Sequence, residues 1–350
     1  MSSPERMRQT VAAVVKRFIN NEGVNTSELA EIAKTMDEIG TKHGCDLIPD
    51  IVQCCLAMAD KIRENKALPT QEHDQRGRIA GYSLTINELA EQNRQKREEC
   101  YKLICGYLQT PLDEPTRTFN EAALHDALQS ENAEWLTYFY TWLTENPKYR
   151  LLLVSMAPAN EDLLRDHIHA DYRKAMGTLI RATTPEQDQN QADVLDIAEN
   201  WANYQVQRKQ HYAGACVLFS LAMTEGNIFI GKRIEYFRKA KAYLKVAKWN
   251  NCQESRSTEF DDWTGAITDR IALAELQKEM LKMLDTLAVP SDLVKTVEAT
   301  LKCNLCDVDQ LWGTVLVPLR MNTMCLRVLA LADIRDQRRV FHLWGNLLEE

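Results

Sequence analysis

The chain has 350 residues, of which 45% are hydrophobic and 26% charged, and its formal net charge is −8. That balance belongs to a folded chain long enough for a large core, and its acidity argues against a protein that wraps nucleic acid with its whole surface. Only 13 glycines and 10 prolines leave few turn residues for a β-rich architecture, so helices are expected.

Apolar residues recur at intervals of three and four, not two, which predicts helix after helix and no convincing strand. Ser3-Pro4 opens a first helix, with Met7, Val11, Val14, Val15 and Phe18 on one stripe up to Gly23. A second runs from Thr26 to about Gly40–Gly44, with Leu29, Ile32, Ala33, Met36 and Ile39 inward. A third opens at Pro49 and turns Ile51, Val52, Cys55, Ala59 and Ile62 inward. After the polar loop "ENKALPTQEHDQRGR", Thr85 and Glu88 form a capping box for a long helix. Its middle, "EQNRQKREE", is polar nearly all round, as in a helix running over a surface or bridging two packed layers.

Shorter helices are expected near 118–129, 131–145, 147–156 and 160–182, punctuated by Asn146-Pro147 and Pro158. The polar "TTPEQDQNQ" separates them from a helix near 191–206. "HYAGACVLFSLAMTEG" is apolar on every face and reads as an interior helix. In "IGKRIEYFRKAKAYLKVAK" the inward stripe is Ile230, Ile234, Phe237, Ala240, Leu244 and Ala247. A loop, "NNCQESRSTEFDD", precedes a helix over 262–287, and further helices are expected near 291–304, 307–318, 321–332 and 335–348. About fifteen helices on short loops, with no strict repeat period, predict an all-α fold: an irregular solenoid of stacked antiparallel helix pairs.

No secretory leader is expected at the first residues, and the ten cysteines fall mostly on core positions, which suits a reducing compartment and no disulfide framework. The longest uncharged apolar run, Tyr212–Thr224, is shorter than the roughly 20 residues that span a bilayer.

Four motifs bear on function. "GNIFIGKR" has the spacing of a phosphate-binding loop, but Ile228, Phe229 and Ile230 crowd it, and Arg233 stands where Ser or Thr would hold magnesium. The spacing is an accident between two helices. Cys303 and Cys306 make half a zinc site without a second pair, and core cysteines three residues apart are the expectation. His167 and His169 are two apart on a helix, so they do not share a face for one metal. The fourth is basic. Arg238, Lys241, Lys245 and Lys248 line one stripe of a helix, with Tyr236, Tyr243 and Trp249 interleaved. They either oppose acidic neighbours on adjacent helices or receive an acidic partner segment; nucleic acid is a thin third reading. In the last helix Val340, Phe341, Trp344, Leu347 and Leu348 leave an apolar face, which packs back or is covered by further chain. Arg238, Lys241, Lys245, Lys248, Phe341, Trp344 and Leu348 are the candidate partner-binding residues; no catalytic, cofactor-binding or metal-binding residue stands out.

"ECYKLICGYLQ", "AEWLTYFYTWL", "LLLVSMAPANEDLLRDHI", "ENWANYQVQRKQHYAGACVLFSLAM" and "GKRIEYFRKAKAYL" follow one another over roughly 95–250. This order of helical segments resembles the C-terminal region of the large inner-ring nucleoporins of the 155/170-kilodalton class. The resemblance implies an α-solenoid from a nuclear pore scaffold protein at the nuclear envelope, without enzymatic activity or cofactor. The implied partners are other nucleoporins, including short linear segments of linker nucleoporins, with no nucleic acid and no direct membrane contact. The family's β-propeller is absent, so a C-terminal fragment is expected, one elongated solenoid over 1–350 with sub-blocks 1–110, 111–250 and 251–350. The alternatives are a cytoplasmic helical-repeat adaptor or vesicle-coat-like subunit, and a helical enzyme using His167 and His169 or "GNIFIGKR".

Overall fold

The computed structural model describes residues 26–43, 46–64, 86–109, 121–181, 188–225, 228–250, 257–284, 291–332 and 337–349, together with Gln9 and Ala13. Among these residues every regular element is helical. The expected first helix up to Gly23, the Thr85 capping box and the loop after Glu64 lie outside the described residues. The chain divides into two units: Met1–Asn146 with Met156–His167, and Pro147–Ser155 with Ile168–Glu350.

In the first unit α1 (Thr26–His43), α2 (Ile48–Glu64), α3 (Ile86–Leu108), α4 (Glu121–Leu128) and α5 (Ala133–Glu145) follow in order; α1, α3 and α4 pack on α2, and α5 packs on α3. α2 is buried along most of its length, its stripe of Ile51, Val52, Cys55, Ala59 and Ile62 joined by Cys54, Leu56 and Met58. α5 starts at Asn132, whose side chain accepts from the Trp135 backbone N–H at 3.0 Å and donates to Asp60 of α2 at 2.8 Å. One residue thus caps a helix and ties it to its neighbour. Trp135 stacks on Phe139 with ring centres 5.1 Å apart, and its indole N–H donates to the Ala127 carbonyl at 2.9 Å.

The middle of α3, polar nearly all round in sequence, is not solvated all round. Arg97, in the middle of it, is 3% exposed and forks onto the Glu134 carboxylate of α5 at 2.8–3.0 Å. Arg97 precedes Cys100, Tyr101 and Ile104 by helical steps, so it shares their buried stripe.

The second unit contains α6 (Leu152–Ser155), part of α7 (Glu161–Arg181), α8 (Asp188–Gln207), α9 (His211–Met223), α10 (Ile230–Asn250), α11 (Ser257–Met283), α12 (Ser291–Cys303), α13 (Val308–Gln310), α14 (Asn322–Leu331) and α15 (Gln337–Glu349). Connections as short as Arg208–Gln210 make successive helices antiparallel neighbours. Three expectations change. The segment 147–156 forms turns and the single helical turn α6. Asp188 begins α8 within the expected breaker, and Ser257 begins α11 within the expected loop. Acidic and hydroxyl side chains that suit loops suit the first turn of a helix equally well.

α9 buries Gly214, Ala215, Leu218, Leu221 and Ala222, but Tyr212 and Met223 are exposed, so it is interior on one side and not on every face. α11 has no single apolar face, because its neighbours change along its length. Phe260 and Ile267 join the core of α8–α10, whereas Leu273, Leu276 and Met280 join that of α12–α15. After α13 the chain widens into a π-helical turn, Leu311–Leu316. A Schellman end follows: Met321 N–H donates to Leu316 O and Arg320 N–H to Val317 O, with Arg320 at φ 52°.

Candidate functional site

α10 carries the basic stripe. Its inward residues Ile230, Ile234, Phe237, Ala240, Leu244 and Ala247 are all buried, and Arg233 and Tyr236 are buried with them. Arg233 lies three residues after Ile230 and four before Phe237, on the apolar stripe itself.

The guanidinium of Arg233 is an internal clamp. It donates to the carbonyls of Ile228 (2.9 Å), Ala222 (2.6 Å), Thr224 (2.8 Å) and Cys303 (2.8 Å). Burial lowers its pKa to about 10. Helix α9 ends at Met223 and α10 starts at Ile230, so the "GNIFIGKR" spacing follows a helix, not a strand, and runs into the first turn of α10. Its arginine holds the connection and the end of α12 together, the opposite of a loop with bare N–H groups facing a phosphate. Gly226 itself lies outside the described residues.

Cys303 ends α12, half-buried, and Cys306 sits buried in the connection beyond it. Gln277 of α11, fully buried, donates to the carbonyls of Leu301 (2.9 Å) and Asn304 and accepts from the Cys306 N–H at 3.1 Å. The polar end of α12 is thereby satisfied by one amide side chain. Burial raises the Cys306 thiol to about 11. Among the described residues no group of three or more His, Cys, Asp or Glu could hold a metal ion. His167 packs on Tyr140 in the first unit, with ring centres 5.6 Å apart, and His169 on Trp201 in the second at 4.8 Å.

The cations of α10 divide by direction. Lys232 lies 3.5 Å from Glu199 of α8 and 3.2 Å from Glu235, and Lys239 pairs with Glu199 and lies 2.8 Å from Glu235. Hydrogen bonds from Lys239 first, then Lys232, hold the Glu235 carboxyl below the usual range. On the other flank, Arg238 reaches Glu275 at 2.6 Å and Lys248 reaches Asp261 at 2.6 Å, both on α11. Lys241 and Lys245 are left with no ion pair among the described residues; Lys241 is half-buried and Lys245 exposed. Ala242, Val246 and Trp249 are exposed beside them, Trp249 by 82%. Within the stripe of four, two members therefore bridge helices and two have no acidic partner among the described residues.

On α15, Leu343 is buried and Val340 packs partly against the same core, while Phe341 and Trp344 are 74% and 53% exposed. The Leu348 side chain lies outside the described residues. Arg97, Asn132, Arg233 and Gln277 are the buried polar organisers that sequence reasoning passed over. For the two arginines the signal was a cation at a periodic core position.

The fold defines an all-α protein, an irregular solenoid of stacked helix pairs. The chain belongs to the nucleoporin family described as non-repetitive/WGA-negative nucleoporin C-terminal, whose model matches residues 4–350. It is thus a nuclear pore protein, as the resemblance implied. It is 20% identical over 163 residues to the probable nucleoporin C890.06 of Schizosaccharomyces pombe, a match covering 46% of this chain and 12% of that protein. It is 22% identical over 154 residues to nucleoporin NUP170 of Saccharomyces cerevisiae, 43% of this chain and 10% of that one. The matched region thus spans about a tenth of either relative. The fold is similar to the crystallised C-terminal domain of Chaetomium thermophilum Nup170, with a TM-score of 0.62, 19% identity and coverage of 98% of this chain and 56% of that one. The same Chaetomium domain in complex with Nup145N gives a TM-score of 0.60 at 19% identity, covering 99% and 61%.

Proposed function

We propose that this chain is a non-enzymatic scaffold segment of the nuclear pore inner ring that binds short linear segments of other nucleoporins. The observation that carries the reading is the shared fold, since the similar Chaetomium domain is seen in complex with Nup145N, another nucleoporin. The surface we assign to the contact is the outer face of α10, where Lys241 and Lys245 stand beside Val246 and Trp249. A peptide with acidic residues around an apolar anchor is complementary to that face. The exposed side of α15, with Phe341 and Trp344 three residues apart, is a second surface for such a segment. Nucleic acid and membrane are not among the proposed partners, because two cations are a thin footprint for polyanion binding.

The test is binding of labelled peptides tiling the linker nucleoporins to the 350-residue chain at low and moderate salt. The Lys241→Glu/Lys245→Glu variant should weaken the best binder about tenfold. The Phe341→Ala/Trp344→Ala variant tests the second surface. No peptide binding at all, or binding that neither variant changes, would overturn the assignment.

A further inference from the structure

We propose a further docking site: the groove between the Leu311–Leu316 turn, α14 and α15 receives a short peptide whose carboxylate stands next to an apolar side chain. It rests on the reading that the chain binds linear segments, but not on the α10 surface.

The groove holds about 500 Å³. Its floor is apolar, made by Leu316, Cys325 and Leu343, which are 0%, 3% and 7% exposed. Val317 stands 56% exposed at its rim. The wall is shaped by the wide turn in which Val317 N–H donates to Trp312 O at 3.1 Å, a π-type bond that recurs at functional sites.

Charge decides the occupant. None of the described residues lining the groove is acidic, although the whole chain carries −8. Arg320 lines it, exposed and with no ion pair among the described residues. It occupies the left-handed position that ends a Schellman motif, φ 52°, where glycine is the usual residue. An arginine there adopts a backbone conformation that disfavours a side chain. Its cation gains something from the carbonyl end of the preceding turn, but the fork remains open on the groove side for a carboxylate. The Asn346 side chain, with its Nδ2 3.4 Å from His342 Nδ1, supplies amide groups that match a peptide main chain. An apolar floor, one open guanidinium and amide side chains together fit a peptide better than an apolar small molecule.

Arg320 also makes the test clean. Arg320→Gly removes the cation while giving the left-handed position its preferred residue, so the variant should fold with an unchanged or higher Tm. The probes are fluorescein-labelled synthetic peptides with Leu and Phe anchors, made with and without adjacent Asp or Glu, read by anisotropy against the full chain. The acid-bearing peptides should bind the parent, bind Arg320→Gly about tenfold more weakly, and fail on Arg320→Glu. The neutral peptides should bind more weakly and not distinguish the three proteins.

Equal binding of acid-bearing peptides to parent and Arg320→Gly would overturn the site, as would equal binding of neutral and acidic peptides or none by either. Self-association of the chain that Arg320→Glu abolishes would also overturn it, since the occupant would then be a second copy. Linker segments released by Lys241→Glu/Lys245→Glu but indifferent to Arg320→Glu would overturn the groove and leave the scaffold reading standing. Segments that bind neither protein would remove both.

Discussion

The guanidinium of Arg233 donates to the carbonyl of Cys303, 70 residues further along the chain, at 2.8 Å. The same side chain holds the carbonyls of Ala222, Thr224 and Ile228. One buried cation therefore closes the α9–α10 connection and fastens it to the end of α12. Arg233→Met should strand these carbonyls in the core and cost about 3 kcal/mol or more. Arg233→Lys should recover little, because a point ammonium cannot reach four acceptors as a planar fork does. Urea unfolding of the two variants measures both values. A loss under about 1 kcal/mol for Arg233→Met would mean water satisfies the carbonyls instead.

In the first unit the pair Arg97–Glu134 is one-sided: Arg97 keeps 4% of its side chain in water and Glu134 38%. Arg97 Nη1 is buried without a hydrogen-bond partner among the described residues, so Arg97 depends heavily on that carboxylate. Glu134→Ala should cost about 2 kcal/mol, below the roughly 3–5 of a fully buried pair, since water can reach the vacated side. Arg97→Met with Glu134→Ala should recover part of the loss. A double-mutant cycle by chemical denaturation reports the coupling.

Gly214 stands where α9 crosses α8. A Cβ there would lie 2.7 Å from Val206 Cγ2 and 3.2 Å from the Ala202 carbonyl. Alanine gains about 1 kcal/mol of helix propensity over glycine, but here it meets a stiff β-branched side chain and a backbone oxygen. Gly214→Ala should therefore destabilise by about 1–3 kcal/mol. Gly177 and Gly265, with open space where a Cβ would stand, should gain from the same change, and their Tm values provide the control.

Burial raises the thiols of Cys100 and Cys105 to about 12 from an ordinary value of 9.0. The unfolded chain loses these protons above pH 9 while the folded chain keeps them. The associated stability is complete below pH 9 and falls as pH rises from 9 towards 12, by up to about 1.4 kcal/mol per pH unit for each thiol. Urea midpoints under reducing conditions should drop from pH 8 to pH 10, and Cys100→Ala should flatten the decline. A steady midpoint across that range would show that these thiols ionise freely in the folded state.

Arg238 and Lys248 differ from Lys241 and Lys245 in what their removal should do. The first two pair with Glu275 and Asp261 at partly exposed sites, so each alanine variant should cost below about 1 kcal/mol. Lys241→Ala and Lys245→Ala should leave stability within about 0.5 kcal/mol. Thermal melts check all four, and a large loss at Lys245 would show that it has a structural partner.

The sequence by itself determined the helices and their buried faces. Periodicity at three and four residues is a local property, so the stripes of α1, α2 and α10 were legible before any packing was known. Family membership was legible for the same reason, since ordered helical segments are themselves a pattern in the chain. The ends of α8 and α11 were not, because the same polar residues serve loops and first turns. Only the tertiary structure decided what the charges do. Arg97 and Arg233 sit on apolar stripes, yet their roles depend on Glu134 and on the carbonyl of Cys303, both distant in the chain. The basic stripe of α10 was visible as spacing, but α11 alone separates Arg238 and Lys248, which it engages, from Lys241 and Lys245, which have no acidic partner among the described residues. Helical period assigns a residue to a face; the partner across that face comes from another part of the chain.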